Sequence, residues 1–364
     1  MLGKNYTLES LMNKETICIT IGMPVYGVEK YIKKSILSVL NQTIDCSIEV
    51  LVIDDCGNDR SMDIIRECQV THPKGKIIKT IRQAHNMGCW AARNRILEEA
   101  RGKYILLIDS DDYFAEGAIP ALYNQAEKTG AEITYGSIAV VDEKGKPIPN
   151  SGVQGIVQPK MVLKGKDLLA SYANDNIHVL KLHNFIWNTL IRTDFIKKHH
   201  LKFRKTKFWD DVLFNADMQP LVESAAFIPN ITYNYVIREN SLSNYQSREV
   251  IDMTEIRQHI ENHKYLKAQS ITLRGKPYFE IRVTKMMLNM FYVIIGVIRN
   301  KSKLSEKINK DEIRQAIHHP LQVKDIIKFK KYKGINLLFW MIGVIPSPFS
   351  YTSICILGKL KKLI

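Results

Sequence analysis

Apolar residues in the first 135 positions fall into two alternating patterns. Short apolar runs rich in β-branched side chains occur at Ile17–Ile21, Val50–Ile53, Lys76–Ile81 and Tyr104–Ile108. Such runs, bounded by polar residues, predict buried strands. Between them, Glu29–Leu40, Ser61–Gln69 and Cys89–Ala100 carry apolar positions at helical spacing, and each has the length of a crossover that returns the chain to a parallel neighbour. The alternation predicts an α/β domain built on a mostly parallel sheet flanked by helices. A further strand is expected near Glu132–Tyr135, leading into a hairpin-like stretch with a turn at Asp142-Glu143-Lys144-Gly145. Beyond it the regular alternation stops, so a less regular half is expected from 136 to 245. From about residue 250 the pattern is helical, with apolar clusters at Met286–Val297 and Ile335–Ile345.

Ligands of open parallel sheets bind beyond the carboxyl ends of the strands. Those positions hold Pro24, Val25 and Tyr26, then Asp54 and Asp55, then Arg82 to Asn86, then Asp109-Ser110-Asp111-Asp112. In YILLIDSDDYF, Tyr104 to Phe114, a buried strand delivers three carboxylates within four residues. Carboxylates so close together are costly unless a cation joins them; oxygen ligands of this kind suit Mg2+ or Mn2+ that also binds substrate phosphates. The competing reading is that Asp111 or Asp112 caps the following helix. VLVIDDCGNDRS, Val50 to Ser61, ends a second strand in adjacent aspartates: one is suited to accept a hydrogen bond from a base ring, whereas Asp59 or Ser61 reads as a helix N-cap. In NMGCWAARN, Asn86 to Asn94, a glycine turn opens a helix that bears Arg93, which is either a diphosphate clamp aided by the helix N-terminus or an exposed arginine on an amphipathic helix.

Charge changes the picture of the C-terminal third. Of the net +15 over 364 residues, 13 charges arise from Ile251 to Ile364, with 21 Lys and Arg against 8 Asp and Glu. A near-neutral head with a basic, apolar tail points to an anionic membrane surface more than to nucleic acid; a soluble helical appendage with a solvated basic face is the alternative. The stretch Gly334–Gly358 is uncharged, but Pro346 and Pro348 divide it into pieces shorter than the ~20 residues of a spanning helix. Six cysteines, Cys18, Cys46, Cys56, Cys68, Cys89 and Cys355, show no CxxC spacing and read as reduced thiols in a cytosolic setting. The first twenty residues contain no continuous apolar core of a signal peptide.

Taken together, ITIGMPVYGVEKYIKKSILSVLNQTI, DDCGNDRS, NMGCWAARN and DSDD resemble, in order and spacing over about 120 residues, the family 2 glycosyltransferases with the GT-A fold. The resemblance implies a GT-A (Rossmann-like) catalytic domain over residues 1–245, with a nucleotide-sugar-binding half at 1–135 and an acceptor-side half at 136–245. Residues 246–364 would form a basic helical C-terminal region. It implies donor contacts from Pro24, Tyr26 (stacked on the base), Glu29, Asp55, Asn86, Gly88, Arg93, Asp109, Ser110 and Asp111, with Asp109 and Asp111 around Mn2+ or Mg2+. Gly27 stands where the family usually has asparagine, and Cys56-Gly57 where Gly-Ser is commoner. HNFIWNTLIRTDF resembles a family segment with a Trp-Asn pair, although Thr189 replaces the usual lysine. That implies Trp187 as part of a sugar or acceptor platform with Asp112, the alternative being a core tryptophan. KFWDDVLFN resembles the element that supplies the catalytic base, with Asp210 where glutamate is commoner; Asp211 is the preferred base and Asp210 the second candidate. Arg238, in YNYVIRENSLSN, is expected to reach the diphosphate or to form a loop salt bridge; His85, His178 and His183 are site neighbours only.

The implied reaction is inverting transfer from a nucleotide sugar, with UDP expected, to a hydroxyl of a glycan or lipid-linked acceptor in surface polysaccharide synthesis. The enzyme would work in the cytoplasm or on the inner face of the plasma membrane, with no nucleic-acid partner. A metal-dependent nucleotidyltransferase is the rival enzyme, but the Gly-rich phosphate loop with lysine expected near its first strand is not visible. A basic nucleic-acid-binding or scaffold protein is the non-enzyme rival, disfavoured by the acidic pocket in a near-neutral head.

Overall fold

The structure, a computed structural model, describes residues 16–148, 155–175, 185–238 and 248–363. His178 and His183 lie outside the described residues. The described residues pack as two units interleaved along the sequence: those within 1–162, 187–202 and 225–236 make the first, and those within 163–186, 203–224 and 237–364 the second.

The strands are β1 (Ile19–Val25), β2 (Ile48–Asp54), β3 (Ile78–Arg82), β4 (Tyr104–Leu107), β5 (Tyr113–Phe114), β6 (Ile133–Val141), β7 (Met161–Lys164), β8 (Thr189–Arg192) and β9 (Ser224–Val236). The sheet of the first unit runs β3-β2-β1-β4-β8-β6-β9-β5. Its first four strands are parallel, with Ile21 paired to both Val50 and Leu106. Strand β8 then enters antiparallel between β4 and β6. The parallel half follows from sequence directly: Ile19, Ile21, Met23, Val50, Val52, Ile53, Leu106 and Ile108 are fully buried, as strands covered on both faces require.

Several boundaries move for local reasons. Strand β1 continues to Val25 because β2 offers it a partner over its whole length, out to Asp54. Strand β3 begins at Ile78 because Gly75–Ile77 winds a 3-10 turn first; a side chain at Gly75 would meet the Gln69 carbonyl at 2.2 Å. The expected turn at Asp142 to Gly145 forms, with Gly145 N–H on the Asp142 carbonyl at 2.9 Å and Lys146 N–H on its carboxylate at 2.8 Å. The half expected to be less regular instead continues the sheet: β6 and β9 pair in parallel, with a register shift at Gly136, where a Cβ would stand 1.9 Å from the Thr232 hydroxyl.

Gly22 shows how tightly the helix Cys89–Glu99 lies on β1. A Cβ there would fall 2.4 Å from Ile96 and 2.8 Å from Leu107, and both side chains are buried. Gly22→Val should therefore overpack the core by about 1–3 kcal/mol and lower the thermal midpoint; an unchanged midpoint would show that the helix yields.

The second unit is helical. Met253–Thr272, Phe279–Arg299, Lys310–Ile317, Lys333–Val344 and Ser347–Leu360 share a core that includes Ile256, Met287, Met290, Ile294, Ile313, Ile317, Phe339, Ile342 and Ile354. Asp252 and Asn309 cap two of these helices through the N–H groups of Thr254 and Asp311. Phe279–Arg299 has the length and apolarity to cross a membrane, yet 61% of its apolar window is buried inside the fold. Its apolar character is thus that of a core helix. The uncharged stretch divides at Pro346, as its prolines predict, into helices of 12 and 14 residues.

Candidate active site

Because β1, β2 and β4 are adjacent and parallel, the polar residues after them meet on one sheet edge. After β1, Tyr26 is 55% exposed and Pro24 partly so. Gly27 follows with φ +65°. Glycine enters that left-handed region readily, which suits Gly27 to this turn. The loop is stitched to the one after β2: Glu29 N–H bonds Asp59 at 2.8 Å, Arg60 N–H bonds the Glu29 carboxylate at 3.0 Å, and Val28 N–H bonds the Ser61 hydroxyl at 3.0 Å. Burial works against ionisation of Asp59, but hydrogen bonds from Ser61 and from Glu29 N–H outweigh it and hold the carboxyl below its ordinary value. Glu29, expected to meet the donor, thus has one carboxylate oxygen engaged in shaping the loop.

Asp55 is 4% exposed. Its carboxylate accepts from Gln83 Nε2 at 2.6 Å, Met87 N–H at 2.7 Å and Gly88 N–H at 2.9 Å. The residue read from sequence as a base contact therefore also organises the loop Gln83–Gly88, which brings Asn86, Gly88 and the exposed His85 to the same edge. Gly88, at φ +90°, precedes the helix Cys89–Glu99. That helix carries Arg93, 4% exposed, whose guanidinium bonds Asp109 Oδ1 at 2.7 Å. Arg93 and the strand-end carboxylates, assigned to the same site from separate motifs, are thus in direct contact.

Beyond β4 the chain turns sharply, with Asp112 N–H on the Asp109 carbonyl at 3.0 Å. Carboxylate oxygens of Asp109, Asp111 and Asp112 lie within 4.8 Å of one another, Asp109 and Asp111 half-buried and Asp112 buried. Ser110 is 6% exposed. Asp112 accepts from the Tyr233 hydroxyl at 3.0 Å and Val236 N–H at 2.8 Å. Burial, with the charge of Asp109 beside it, raises the Asp112 carboxyl well above the usual range. The Tyr233 hydroxyl also accepts Asp109 N–H at 3.2 Å, so one buried tyrosine braces both ends of the acidic turn. Its ring stacks on Trp187 at 4.4 Å, and Trp187 on Tyr235 at 5.6 Å. Trp187 is only 2% exposed: here its ring is packed beneath the acidic turn and presents no open face. Neither this bracing nor the loop-holding work of Asp55 was read from the sequence. The alternation of Tyr233 and Tyr235 with small or polar residues in a strand was the available signal.

A divalent ion fits this donor set. The three carboxylates are hard oxygen ligands crowded together, and Asp109 and Asp111 keep partial contact with solvent. They would hold the ion, while both Asp112 oxygens already serve Tyr233 and Val236.

Asp210, Asp211 and Arg238 belong to the second unit. The helix Asp210–Met218 opens directly after Trp209, whose φ is +65°. Trp209 and Phe208 pack on His259 at 4.6 and 5.3 Å, and Trp209 on His263 at 5.0 Å. Burial drives both histidines down to about 4, so these rings are neutral near pH 7. Asn262 adds a 2.7 Å hydrogen bond to the Phe208 carbonyl. Asp210 is 7% exposed; Asp211 is half-buried and accepts Val212 N–H at 2.7 Å. The two aspartates thus start a helix whose entry is fixed by packing.

Residues 20–185 match the family described as Glycosyl transferase family 2. That segment is a family 2 glycosyltransferase domain, and the chain has the GT-A fold. The match includes every residue expected on the donor side, Pro24 to Asp111, and ends before Asp210 and Asp211. Over 130 residues, 36% of this chain and 50% of the relative, it is 38% identical to an uncharacterized glycosyltransferase of Haemophilus influenzae. It is 32% identical over 130 residues to a poly(ribitol-phosphate) beta-glucosyltransferase of Bacillus spizizenii, covering 35% of this chain and 20% of the relative. The chain therefore spans half or less of these two relatives. Among solved structures, S. aureus TarS 1-349 in complex with UDP-GlcNAc superposes with a TM-score of 0.60 at 16% identity over 90% of each chain, a likeness of fold.

Proposed function

We propose that this family 2 protein transfers a sugar from a UDP-sugar to a hydroxyl of a glycan or lipid-linked acceptor, with inversion, in bacterial surface polysaccharide synthesis at the inner face of the plasma membrane. One observation carries the reading: Arg93 in contact with Asp109, within an acidic turn that shares the sheet edge with Tyr26 and the Asp55-held loop. The UDP assignment is supported by the UDP-GlcNAc complex of TarS, and the polymer acceptor by the named activity of the Bacillus spizizenii relative.

In this reading Tyr26 stacks on the base, and the loop Asn86–Gly88 with the N-terminus of the helix Cys89–Glu99 offers N–H groups to the diphosphate. Asp109 and Asp111 hold Mn2+ or Mg2+, which when bound supplies positive charge against the leaving diphosphate. Arg93 adds fixed charge at the same place, from a buried position that needs no reorganisation. Asp211 takes the proton of the acceptor hydroxyl as that oxygen attacks the anomeric carbon from the face opposite the leaving group, and this single displacement inverts the centre. Tyr233 and Trp187 keep the acidic turn rigid.

A panel of nucleotide sugars incubated with the full chain and Mn2+, without acceptor, tests this. Slow release of UDP from one UDP-sugar, abolished by EDTA, is the expected result. Turnover of a UDP-sugar only on adding pyrophosphate, giving UTP and sugar 1-phosphate in place of UDP, would make the protein a nucleotidyltransferase, and release of GDP from a GDP-sugar alone would overturn the donor assignment.

A further inference from the structure

The helices Lys333–Val344 and Ser347–Leu360 each turn one face to the core, through Phe339, Ile342 and Ile354. Elsewhere on their surface they expose Met341 (51%), Val344 (43%), Phe349 (66%), Ile356 (54%) and Leu360 (75%). Phe349, Ile356 and Leu360 are spaced by seven and four residues, so they form one stripe along the last helix. A solvated helix would place charged residues on such a stripe, yet the sequence has none from Gly334 to Gly358.

Charge is instead concentrated at the two ends of this region. Lys324, Lys328, Lys330, Lys331 and Lys333 precede it and Lys359, Lys361 and Lys362 follow it, all exposed. Glu280 anchors the backbone of the first group by accepting Lys330 N–H at 2.9 Å and Lys331 N–H at 2.6 Å. Asp325 is the one acid in the sequence between Lys324 and Leu363, and its carboxylate is paired with Arg274 at 3.0 Å. A surface that must meet both an apolar stripe and lysines at its ends has to be apolar inside and anionic outside. A second copy of the chain would bring the same lysines and repel.

We propose that these two helices dock on an anionic phospholipid surface, with Phe349, Ile356 and Leu360 entering the headgroup–acyl boundary and the flanking lysines neutralising lipid phosphates. The proposal deepens the membrane-face placement given above and rests on that reading for its role in the cell, where it would hold the enzyme beside a lipid-linked acceptor.

The test is flotation of the full chain with vesicles of phosphatidylcholine, with and without phosphatidylglycerol, at low and high salt. UDP release from the donor is measured in parallel in vesicle-free buffer. The protein should float with the anionic vesicles, poorly with neutral ones, and less at high salt. Two variants, Phe349→Ser/Ile356→Ser/Leu360→Ser and Lys359→Glu/Lys361→Glu/Lys362→Glu, should each lose at least about tenfold in vesicle affinity while UDP release is unchanged. Failure of the unmodified chain to float, equal flotation of both variants, or a dimer that the serine variant dissolves would each overturn the proposal. Flotation without UDP release would leave the docking surface standing and refute the transferase reading.

Discussion

Asp211→Asn should lower sugar transfer by about 10²–10⁴-fold with donor KM little changed, because a positioned general base contributes that much to proton removal. Asparagine keeps an oxygen where Asp211 accepts Val212 N–H, so the start of the helix Asp210–Met218 is conserved and the fold should be intact. The measurement is kcat and KM under saturating acceptor, beside UDP binding by titration calorimetry. Asp210→Asn is the matched control: only 7% of Asp210 is exposed, whereas Asp211 is more open to an incoming hydroxyl. If Asp210→Asn abolishes turnover and Asp211→Asn leaves it untouched, the base is Asp210. Loss of UDP binding in Asp211→Asn would remove the residue from this role altogether, since the proposed base makes no contact with the nucleotide.

The polar edge of the parallel strands was legible because each of its parts is local. A strand buried on both faces writes a continuous apolar run, and the polar residue after it is forced to a sheet edge; Val50–Ile53 followed by Asp54 and Asp55 shows this in six residues. The antiparallel half lacks that signature. Strand β8 is four residues long and β9 contains Pro229 and Asn230, and their partners are set by contacts between segments 51 and 95 residues apart, such as Asn188 and Thr232 both reaching the Ser137 carbonyl at 3.3 Å. No short window of sequence contains such a pair. The same distance hid Tyr233 as a brace for Asp109 and Asp112, 124 and 121 positions away. Trp187 illustrates a different limit: its neighbours in sequence allowed either a platform or a core, and only the stacked rings of Tyr233 and Tyr235 put it in the core.

Asp109→Asn and Asp111→Asn should both reduce metal-dependent UDP binding and lower kcat/KM by at least about 100-fold, the several kcal/mol expected when a ligand to the charge-neutralising cation is lost. They should differ in metal-free stability. Arg93 is 5% exposed in its side chain and bonds Asp109, which keeps 30% of its own side chain in contact with solvent. Neutralising Asp109 takes the carboxylate from that guanidinium and should destabilise the protein by about 1–3 kcal/mol, less than for a wholly buried pair because solvent screens part of the interaction. Asp111 shares the acidic cluster with Asp109 and Asp112, so its neutralisation also relieves like-charge repulsion while the buried Arg93–Asp109 pair stays intact, and the metal-free thermal midpoint should fall less than in Asp109→Asn. Thermal melts in EDTA, repeated with Mn2+ and UDP, separate the two effects. The unmodified chain should gain stability from the added pair of ligands, and both variants should gain less. An equal gain in Asp111→Asn would mean that the cation is held elsewhere, and an unchanged EDTA midpoint in Asp109→Asn would mean that Arg93 does not depend on that carboxylate.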